Sequence, residues 1–353
     1  MGRMRSFLLA AALSATLFLL TAANDRTPAV YVFGDSSVDV GNNNYLPGNL
    51  GKVNFRPNGI DYPGGKPTGR FSNGYNVADF LAMKVGLKKS PPAYLSLTSD
   101  AQMHGVNFAS GGSGILNATN FSVSLNKQID YFERITHSQK TRLGDAATSL
   151  FLSQSLFVVS TGSNDFSVFL GNLQLLNGTQ IHEIMGFLTQ QFKNQLKMLY
   201  ELGARKLVVF GTSQVGCAPL LRRTTPSGDC IEELNEVSRL FSNAVEVLLH
   251  DLASTSKGLS YTFVDSYRVM APVLSNPSKY GFSEIKSACC GSGTLNAESA
   301  CTPNATYCSS RLGHLFWDRT HLTEAAQRLI AEVAYHGGRE FVRPMNIQQL
   351  YES

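Results

Sequence analysis

Two short polar segments at opposite ends of the chain carry residue types that can do covalent chemistry together. The first, residues 33–37, places Ser36 directly after a hydrophobic run, and the second, residues 317–321, contains an Asp-x-x-His pair. A serine hydroxyl becomes a nucleophile when an imidazole takes its proton and a carboxylate orients that imidazole. Ser36, His321 and Asp318 are the candidates for these three roles. Together they predict a serine hydrolase.

Two further segments supply groups that can bind the negative charge formed in such a reaction. An oxyanion is stabilised by N–H donors that are fixed in advance. Gly112 can offer a backbone N–H with no side chain in the way, Asn164 can offer its amide NH2, and Ser36 can add its own backbone N–H. Taken alone, each segment also has the composition of an ordinary turn without a catalytic role. The prediction therefore depends on all four segments occurring together and in order.

The elements that must position these segments are short strands separated by amphipathic helices. Five β-rich runs are predicted as strands, at residues 30–33, 105–108, 156–160, 206–210 and 260–264. Apolar spacings of three and four predict a helix ending at Gly203, a helix after Cys230 and a helix capped by Thr323. This order predicts a doubly wound, mostly parallel α/β sheet. Because functional groups gather beyond the carboxyl ends of such strands, the polar segments should be neighbours.

Residues 1–23 have the composition of an export signal. Arg3 and Arg5 precede an apolar run over residues 7–20, and the small residues that follow suit signal peptidase. An uncleaved anchor is the alternative, but the run is short for a spanning helix, and no later stretch approaches about 18 apolar residues. We therefore expect a secreted, extracellular or cell-wall protein, in which residues 24–353 form a single domain without an integral membrane segment.

The net charge argues against nucleic acid as a partner. The formal charge of +4 falls to +2 when Arg3 and Arg5 leave with the signal, because that segment holds no acidic residue. This value is too close to neutral for a nucleic-acid footprint. A glycine-rich run at residues 111–114 resembles a phosphate cradle, but it lacks the P-loop lysine and the dinucleotide spacing. The predicted chemistry needs no metal and no organic cofactor.

The cysteines and the glycosylation sequons agree with export. Six cysteines lie in the second half of the chain, and an oxidising compartment would pair them. Cys217 and Cys230 bracket a loop rich in proline and glycine and are candidate partners, whereas the pairing of the other four stays open. A zinc site is the alternative, but there is no C-x-x-C and no histidine at ligand spacing. Acceptor sequons for N-linked glycans lie at Asn117, Asn120, Asn177 and Asn304.

Five segments resemble those of the plant GDSL esterase/lipases, in the SGNH hydrolase superfamily. They are residues 33–44, 69–74, 105–112, 162–166 and 316–321. The resemblance implies a flavodoxin-like three-layer α/β/α sandwich with a central, mostly parallel five-stranded sheet. It also implies Ser36 as nucleophile, Asp318 and His321 as its partners, and Gly112 and Asn164 as oxyanion donors. No Gly-x-Ser-x-Gly occurs, so the α/β-hydrolase elbow is not the right comparison.

One position departs from the family pattern, and at another the pattern does not decide between two adjacent glycines. Leu322 stands where the family often has proline, which would loosen the turn that presents His321. Gly111 is adjacent to Gly112, and Gly112 is chosen by its offset from Asn107.

The predicted reaction is cleavage of a carboxylic ester through an acyl-enzyme on Ser36, which water then hydrolyses. One alternative is an acyltransferase that uses the same triad with an alcohol acceptor, and another is a secreted binding protein without turnover. The expected substrate is a small-molecule, lipid or polysaccharide ester. Phe121, Phe166 and Phe169 are candidates for an acyl groove, with a place in the core as the alternative.

Overall fold

A central five-stranded sheet forms the middle layer of the molecule. The computed structural model describes residues 29–48, 51–99, 104–119, 122–168 and 178–353. In the central sheet, the first four strands run parallel in the order β1-β2-β3-β4, and β9 pairs antiparallel with β4 at one edge. The strands in chain order are β1 (Val30–Gly34), β2 (Leu156–Ser160), β3 (Lys206–Phe210), β4 (Ser260–Val264), β5 (Glu284–Ala288), β6 (Cys290–Gly291), β7 (Thr306–Tyr307), β8 (His314–Phe316) and β9 (Val342–Arg343).

Helices cover both faces of this sheet. Those in the described residues are α1 (Val77–Lys84), α2 (Leu125–Leu143), α3 (Asp145–Gln154), α4 (Gly178–Glu201), α5 (Pro219–Arg222), α6 (Glu232–Thr255), α7 (Ser266–Ser275), α8 (Glu324–His336) and α9 (Ile347–Glu352). None of them, over the ranges given above, is both long enough and apolar enough to span a membrane.

The alternation of side chains along β1 to β4 divides the core into two layers. Tyr31, Phe33 and their equivalents on the neighbouring strands pack against α2, α3, α4 and α6. Val30, Val32 and their equivalents pack against α1, α7, α8 and α9. This alternation follows from the two-residue period of a strand. The predicted mixed α/β fold, with three layers and a mostly parallel five-stranded sheet, is confirmed.

Aromatic packing fixes the strand that leads to Ser36. Phe33 stacks on Phe108 with ring centroids 5.0 Å apart and meets Phe132 edge-on at 5.7 Å. Tyr31 stacks on Phe157 at 5.1 Å. All five rings are buried, and each buried side chain of this size contributes about 1.5–3 kcal/mol to folding. The end of β1 is therefore held firmly in the core.

The helices predicted from apolar spacing are confirmed. The helix expected to stop at Gly203 is α4, and the helix expected after Cys230 is α6. Thr323 caps α8, where its side chain accepts a hydrogen bond from the Ala326 N–H. The cap satisfies one of the free donors at the start of the helix that follows His321.

Residues 105–108 do not form a regular strand, contrary to the sequence prediction. They run beside β1 and form only isolated parallel bridges, from Asn107 to Val32 and from Asn107 to Ala93. Gly105 has a φ of 99°, which departs from extended backbone. The Asn107 side chain donates to the Val38 carbonyl at 2.8 Å. The fifth strand of the sheet is instead β9, which has two residues and is too short to show the alternating hydrophobic pattern of a strand.

Because Gly34 lies very close to β2, we predict that adding a single methyl group at this position strongly destabilises the fold. Gly34 has a φ of 139°, and a Cβ built there would overlap the Ser160 carbonyl oxygen. We expect Gly34→Ala to lower the free energy of unfolding by about 2 kcal/mol or more, measured by urea denaturation. Gly186→Ala on α4 is the matched control, because its Cβ would meet nothing within 4 Å. That control should raise stability by about 0.5–1 kcal/mol, and similar effects of the two variants would contradict the prediction.

Candidate active site

The structure brings Ser36, His321 and Asp318 into one hydrogen-bonded row. His321 Nε2 lies 2.8 Å from Ser36 Oγ. His321 Nδ1 lies 2.8 and 2.9 Å from the two carboxylate oxygens of Asp318. When Nδ1 carries the proton toward the carboxylate, Nε2 presents its lone pair to the hydroxyl. In this arrangement the imidazole can accept the serine proton.

The turn that carries Asp318 and His321 is closed by hydrogen bonds within itself. The Trp317 N–H donates to the His321 carbonyl at 2.7 Å. Asp318 Oδ1 accepts from the N–H groups of Thr320 and His321 at 2.9 and 2.8 Å. None of these bonds uses the N–H of Leu322, so the leucine that replaces the family's proline leaves the turn intact.

The charges of the row are set by burial and by mutual contact. Burial lowers the pKa of His321, but the Asp318 carboxylate, with a smaller contribution from Asp35, outweighs it and raises that pKa above the usual 6.5. Burial also raises the pKa of Asp318, but the facing imidazole and two backbone N–H donors bring it below its usual range. The carboxylate is therefore ionised and stabilises a proton on the imidazole.

A second buried carboxylate, Asp35, joins two of the polar segments. Its Oδ1 accepts from the Ser37 N–H at 2.9 Å and from the Ser37 hydroxyl at 2.7 Å, and its Oδ2 accepts from the Ser163 hydroxyl at 3.3 Å. Burial raises the pKa of Asp35, and these donors together with His321 oppose the rise. Sequence reasoning gave Asp35 no role, although its place directly before Ser36 was visible.

Asn164 contacts the loop that contains Gly112, residues 110–115, which we call the donor loop. Asn164 Nδ2 donates to the Ser113 carbonyl at 2.9 Å, which places the amide against the turn that contains Gly112. The neighbouring Gly111 N–H is occupied, because it donates to Asp39 Oδ2 at 3.0 Å. The geometry therefore favours Gly112 over Gly111 as the donor.

Gln128, a buried residue of α2, ties the donor loop to the end of β1. Its Oε1 accepts from the Gly34 N–H at 2.8 Å. Its Nε2 donates to the Gly34 carbonyl at 2.9 Å and to the Ser113 hydroxyl at 3.0 Å. One amide thus spans the strand that leads to Ser36 and the loop that holds Gly112. Sequence reasoning missed this residue, because a single glutamine on a helix gives no signal.

The segment at residues 69–74, whose resemblance to the family had no assigned purpose, packs around His321. The Phe71 ring lies 4.9 Å from the imidazole, and a Cβ on Gly111 would collide with that ring. Asn73 Oδ1 accepts from the Glu324 N–H at the start of α8, at 2.8 Å. The segment therefore fixes both the imidazole and the helix that follows it.

All six cysteines are paired, in the bonds Cys217–Cys230, Cys289–Cys308 and Cys290–Cys301. The first is the predicted pair, which is confirmed, and the other two settle the pairing that the sequence left open. The described residues contain no group of three side chains able to hold a metal ion.

These disulfides lie against the backbone of the Asp-x-x-His segment on two sides. The Cys290 N–H donates to the Trp317 carbonyl at 2.7 Å. From the loop that Cys217–Cys230 closes, the Leu220 N–H donates to the Arg319 carbonyl at 2.9 Å. Cross-links of this kind restrict the unfolded chain and hold the loops that carry them. The segment is thus positioned by covalently closed neighbours.

The remaining sequence predictions concern the glycosylation sequons, the groove phenylalanines and the export signal, and only some of these positions lie within the described residues. Asn117 and Asn304 are exposed, as a glycosylation site must be. Phe166 is 1% exposed and packs edge-on against Phe241 at 5.5 Å, so it belongs to the core and not to a groove. Outside the described residues lie Asn120, Asn177, Phe121, Phe169 and the predicted export signal at residues 1–23.

The contact between His321 and Asp318 predicts the direction of a measurable pKa change. By NMR titration of the imidazole, we expect the pKa of His321 to lie above 6.5 in the parent protein. It should fall in Asp318→Asn, because burial then acts without the main opposing charge. Asp130→Asn, which removes an exposed carboxylate on α2, is the control and should leave the titration unchanged. An equal His321 pKa in the parent and Asp318→Asn would contradict this electrostatic account.

Comparison with known proteins identifies the family of this chain. A family model described as GDSL-like Lipase/Acylhydrolase matches residues 30–334. GDSL esterase/lipase At5g55050 of Arabidopsis thaliana is 40% identical over 338 residues, covering 92% of this chain and 89% of the relative. GDSL esterase/lipase At4g28780 of Arabidopsis thaliana is 35% identical over 348 residues, covering 96% and 95%.

One solved structure is also similar, the lipase Lip_vut3 from a goat rumen metagenome. It is 11% identical, with a TM-score of 0.40, and the match covers 86% of this chain and 94% of that one. The match of the family model across most of the chain, together with the two plant relatives, decides the membership. The chain belongs to the GDSL esterase/lipase family of carboxylic ester hydrolases.

Proposed function

We propose that the chain cleaves carboxylic esters through a covalent acyl-enzyme on Ser36. The observation that carries this proposal is the continuous row from Ser36 Oγ to His321 Nε2 and from His321 Nδ1 to Asp318. A row with these distances is what nucleophilic catalysis by serine requires.

The reaction follows in two halves. Ser36 Oγ attacks the ester carbonyl carbon while His321 Nε2 takes the hydroxyl proton, and Asp318 stabilises the imidazolium. The carbon–oxygen bond to the alcohol then breaks, and His321 returns the proton to the leaving oxygen. Water repeats the sequence on the acyl-enzyme and releases the acid. Each half transfers one acyl group and returns the histidine to its neutral form.

The oxyanion formed in each half is assigned to three donors. These are the Gly112 N–H, the Asn164 amide and the Ser36 N–H. Asn164 is supported by its contact with the Ser113 carbonyl, which fixes the amide at the donor loop. A donor held in advance stabilises the developing charge without reorganisation during the reaction.

Secretion is part of the same proposal. Residues 1–23 act as a cleaved signal, residues 24–353 act as one hydrolase domain, and the disulfides form in an oxidising compartment. The exposed sequons Asn117 and Asn304 agree with a glycosylated extracellular protein. The substrate is a small-molecule, lipid or polysaccharide ester.

Replacement of Ser36 tests the nucleophile directly. We expect Ser36→Ala to lower kcat on a p-nitrophenyl ester by about 10⁴-fold or more, because the acyl-enzyme cannot form. Ser254→Ala, an exposed serine on α6, is the control and should keep the parent rate. A fluorophosphonate should label the parent and the control but not Ser36→Ala. Turnover by Ser36→Ala at the parent rate would contradict the proposal.

Replacement of Asn164 tests the oxyanion assignment separately. We expect Asn164→Ala to lower kcat by about 10²–10³-fold with little change in KM, because the donor acts mainly in the transition state. Asn194→Ala, an exposed amide on α4, is the matched control. An unchanged kcat with a raised KM would instead make Asn164 a ground-state binding residue.

A further inference from the structure

A groove of about 270 Å³ lies outside the catalytic row, and we call it the tyrosine groove because Tyr45 and Tyr62 both line it. Its walls also include Thr68, Lys89 and Pro91. No residue of the catalytic row is part of these walls. The proposed ester chemistry therefore leaves the groove without a purpose.

The segment of the chain that builds the groove is strongly basic. Residues 41–99 contain seven basic and two acidic side chains, a net charge of +5, whereas the rest of the chain after residue 23 has a net charge of −3. A local excess of one sign of charge raises the concentration of oppositely charged ligands beside it. The basic segment therefore favours an anionic ligand, although the whole protein is close to neutral.

Both acidic side chains of this segment are neutralised by arginines. Asp79 is buried and accepts two hydrogen bonds from Arg70, each of 2.7 Å. Asp61 accepts from Arg311, which lies outside the segment, at 2.5 and 3.0 Å. The segment is thus left with five basic side chains that form no ion pair among the described residues, namely Lys52, Arg56, Lys66, Lys88 and Lys89.

Four of these cations are exposed and lie on the groove wall or next to it. Lys89 lines the groove, and Lys88 precedes it directly. Lys66 stands two residues before the wall residue Thr68. A Cβ built on the residue before Lys66 would lie 3.5 Å from the Arg56 guanidinium, so Arg56 reaches the same stretch of backbone. The groove is therefore bordered by positive charge at more than one point.

The walls combine aromatic rings with short polar side chains. Tyr45 is 57% exposed, and the Tyr62 ring lies 4.9 Å from the Arg70 guanidinium. Thr68 and Ser96 add hydroxyl groups. A tyrosine offers an apolar ring face with a polar edge, and a sugar ring has the same two features in its C–H face and its hydroxyl groups. The chemistry of the groove thus matches a sugar that also carries negative charge.

We propose that the tyrosine groove binds an acidic polysaccharide, a chain of sugars that carry carboxylate groups. The carboxylates pair with the exposed cations beside the groove, and a sugar ring packs on Tyr45. Four exposed cations are few for a nucleic acid, which has about one charge per 1.7 Å of duplex, and a concave wall does not match a flat bilayer. The inference goes beyond the proposed esterase function, because this site takes no part in the reaction.

Isothermal titration with polygalacturonate and with neutral dextran tests the role of charge. We expect the parent to bind the polyuronate about tenfold or more tightly than dextran, and added NaCl should weaken that binding because salt screens exposed charges. Lys88→Ser/Lys89→Ser should weaken it about tenfold, the effect of two lost exposed ion pairs. The control Lys257→Ser/Lys279→Ser removes the same charge from two exposed lysines outside the segment, and it should bind like the parent.

A second substitution tests the sugar ring separately from its charge. We expect Tyr45→Ser to weaken polyuronate binding about fivefold at low and high salt alike, because packing on an aromatic face is not screened. Tyr307→Ser is the matched control, since Tyr307 is 48% exposed on β7, and it should keep the parent affinity. Circular dichroism confirms the fold of each variant, and the salt dependence of the parent tests the charge argument without any substitution.

The outcomes separate this inference from the esterase proposal. Ser36→Ala should lose ester hydrolysis but bind the polyuronate like the parent, and loss of that binding would move the polymer to the catalytic row. Equal losses in the two double-lysine variants, or an unchanged affinity in Tyr45→Ser, would overturn the groove site. Binding of single-stranded DNA or phosphatidylserine vesicles as tight as that of polygalacturonate would also overturn it, because charge alone would then explain the interaction.

Discussion

The hydrogen bond between Ser36 Oγ and His321 Nε2 joins residues 285 positions apart, and most of the structure around it serves to hold the two ends in register. On the serine side, stacked aromatic rings and the Gln128 amide fix the end of β1. On the histidine side, Phe71 and the disulfide-closed loops hold the Asp-x-x-His turn. Neither end could be positioned by local sequence alone, because each depends on contacts from distant elements.

Two buried carboxylates, Asp318 and Asp35, both raise the pKa of His321, although their own pKa values shift in opposite directions. Asp318 faces the imidazole, and its pKa lies below the usual 3.8. Burial raises the pKa of Asp35. The interaction between Asp318 and His321 stabilises the fold most at pH values between the lowered pKa of Asp318 and the raised pKa of His321. Its carboxylate share is lost as pH falls through the lowered pKa of Asp318, and its imidazole share is lost as pH rises through the raised pKa of His321.

The sequence revealed the parts of this molecule that carry local chemical signals. Ser36, Asp318 and His321 stand in recognisable motifs, Thr323 is a cap of ordinary type, and Cys217 and Cys230 bracket one loop. The contributions of Gln128 and Asp35 are visible only in three dimensions, because each acts through a partner from another segment. Residues 105–108 looked like a strand because most of them are apolar. They do exchange backbone hydrogen bonds with Val32 of β1, but they form only isolated bridges, through Asn107, and not a regular strand. The edge strand β9 is too short for any periodicity to appear.

The separation of the serine and the histidine along the chain also orders events during biosynthesis. Domains form from the amino terminus onward while synthesis proceeds at roughly 5–20 residues per second. The β1 strand and its serine leave the ribosome early, whereas the turn at residues 318–321 belongs to the last tenth of the polypeptide. Until that turn emerges and docks, the hydroxyl has no imidazole beside it. On the proposed mechanism, a nascent chain that lacks this turn cannot activate Ser36.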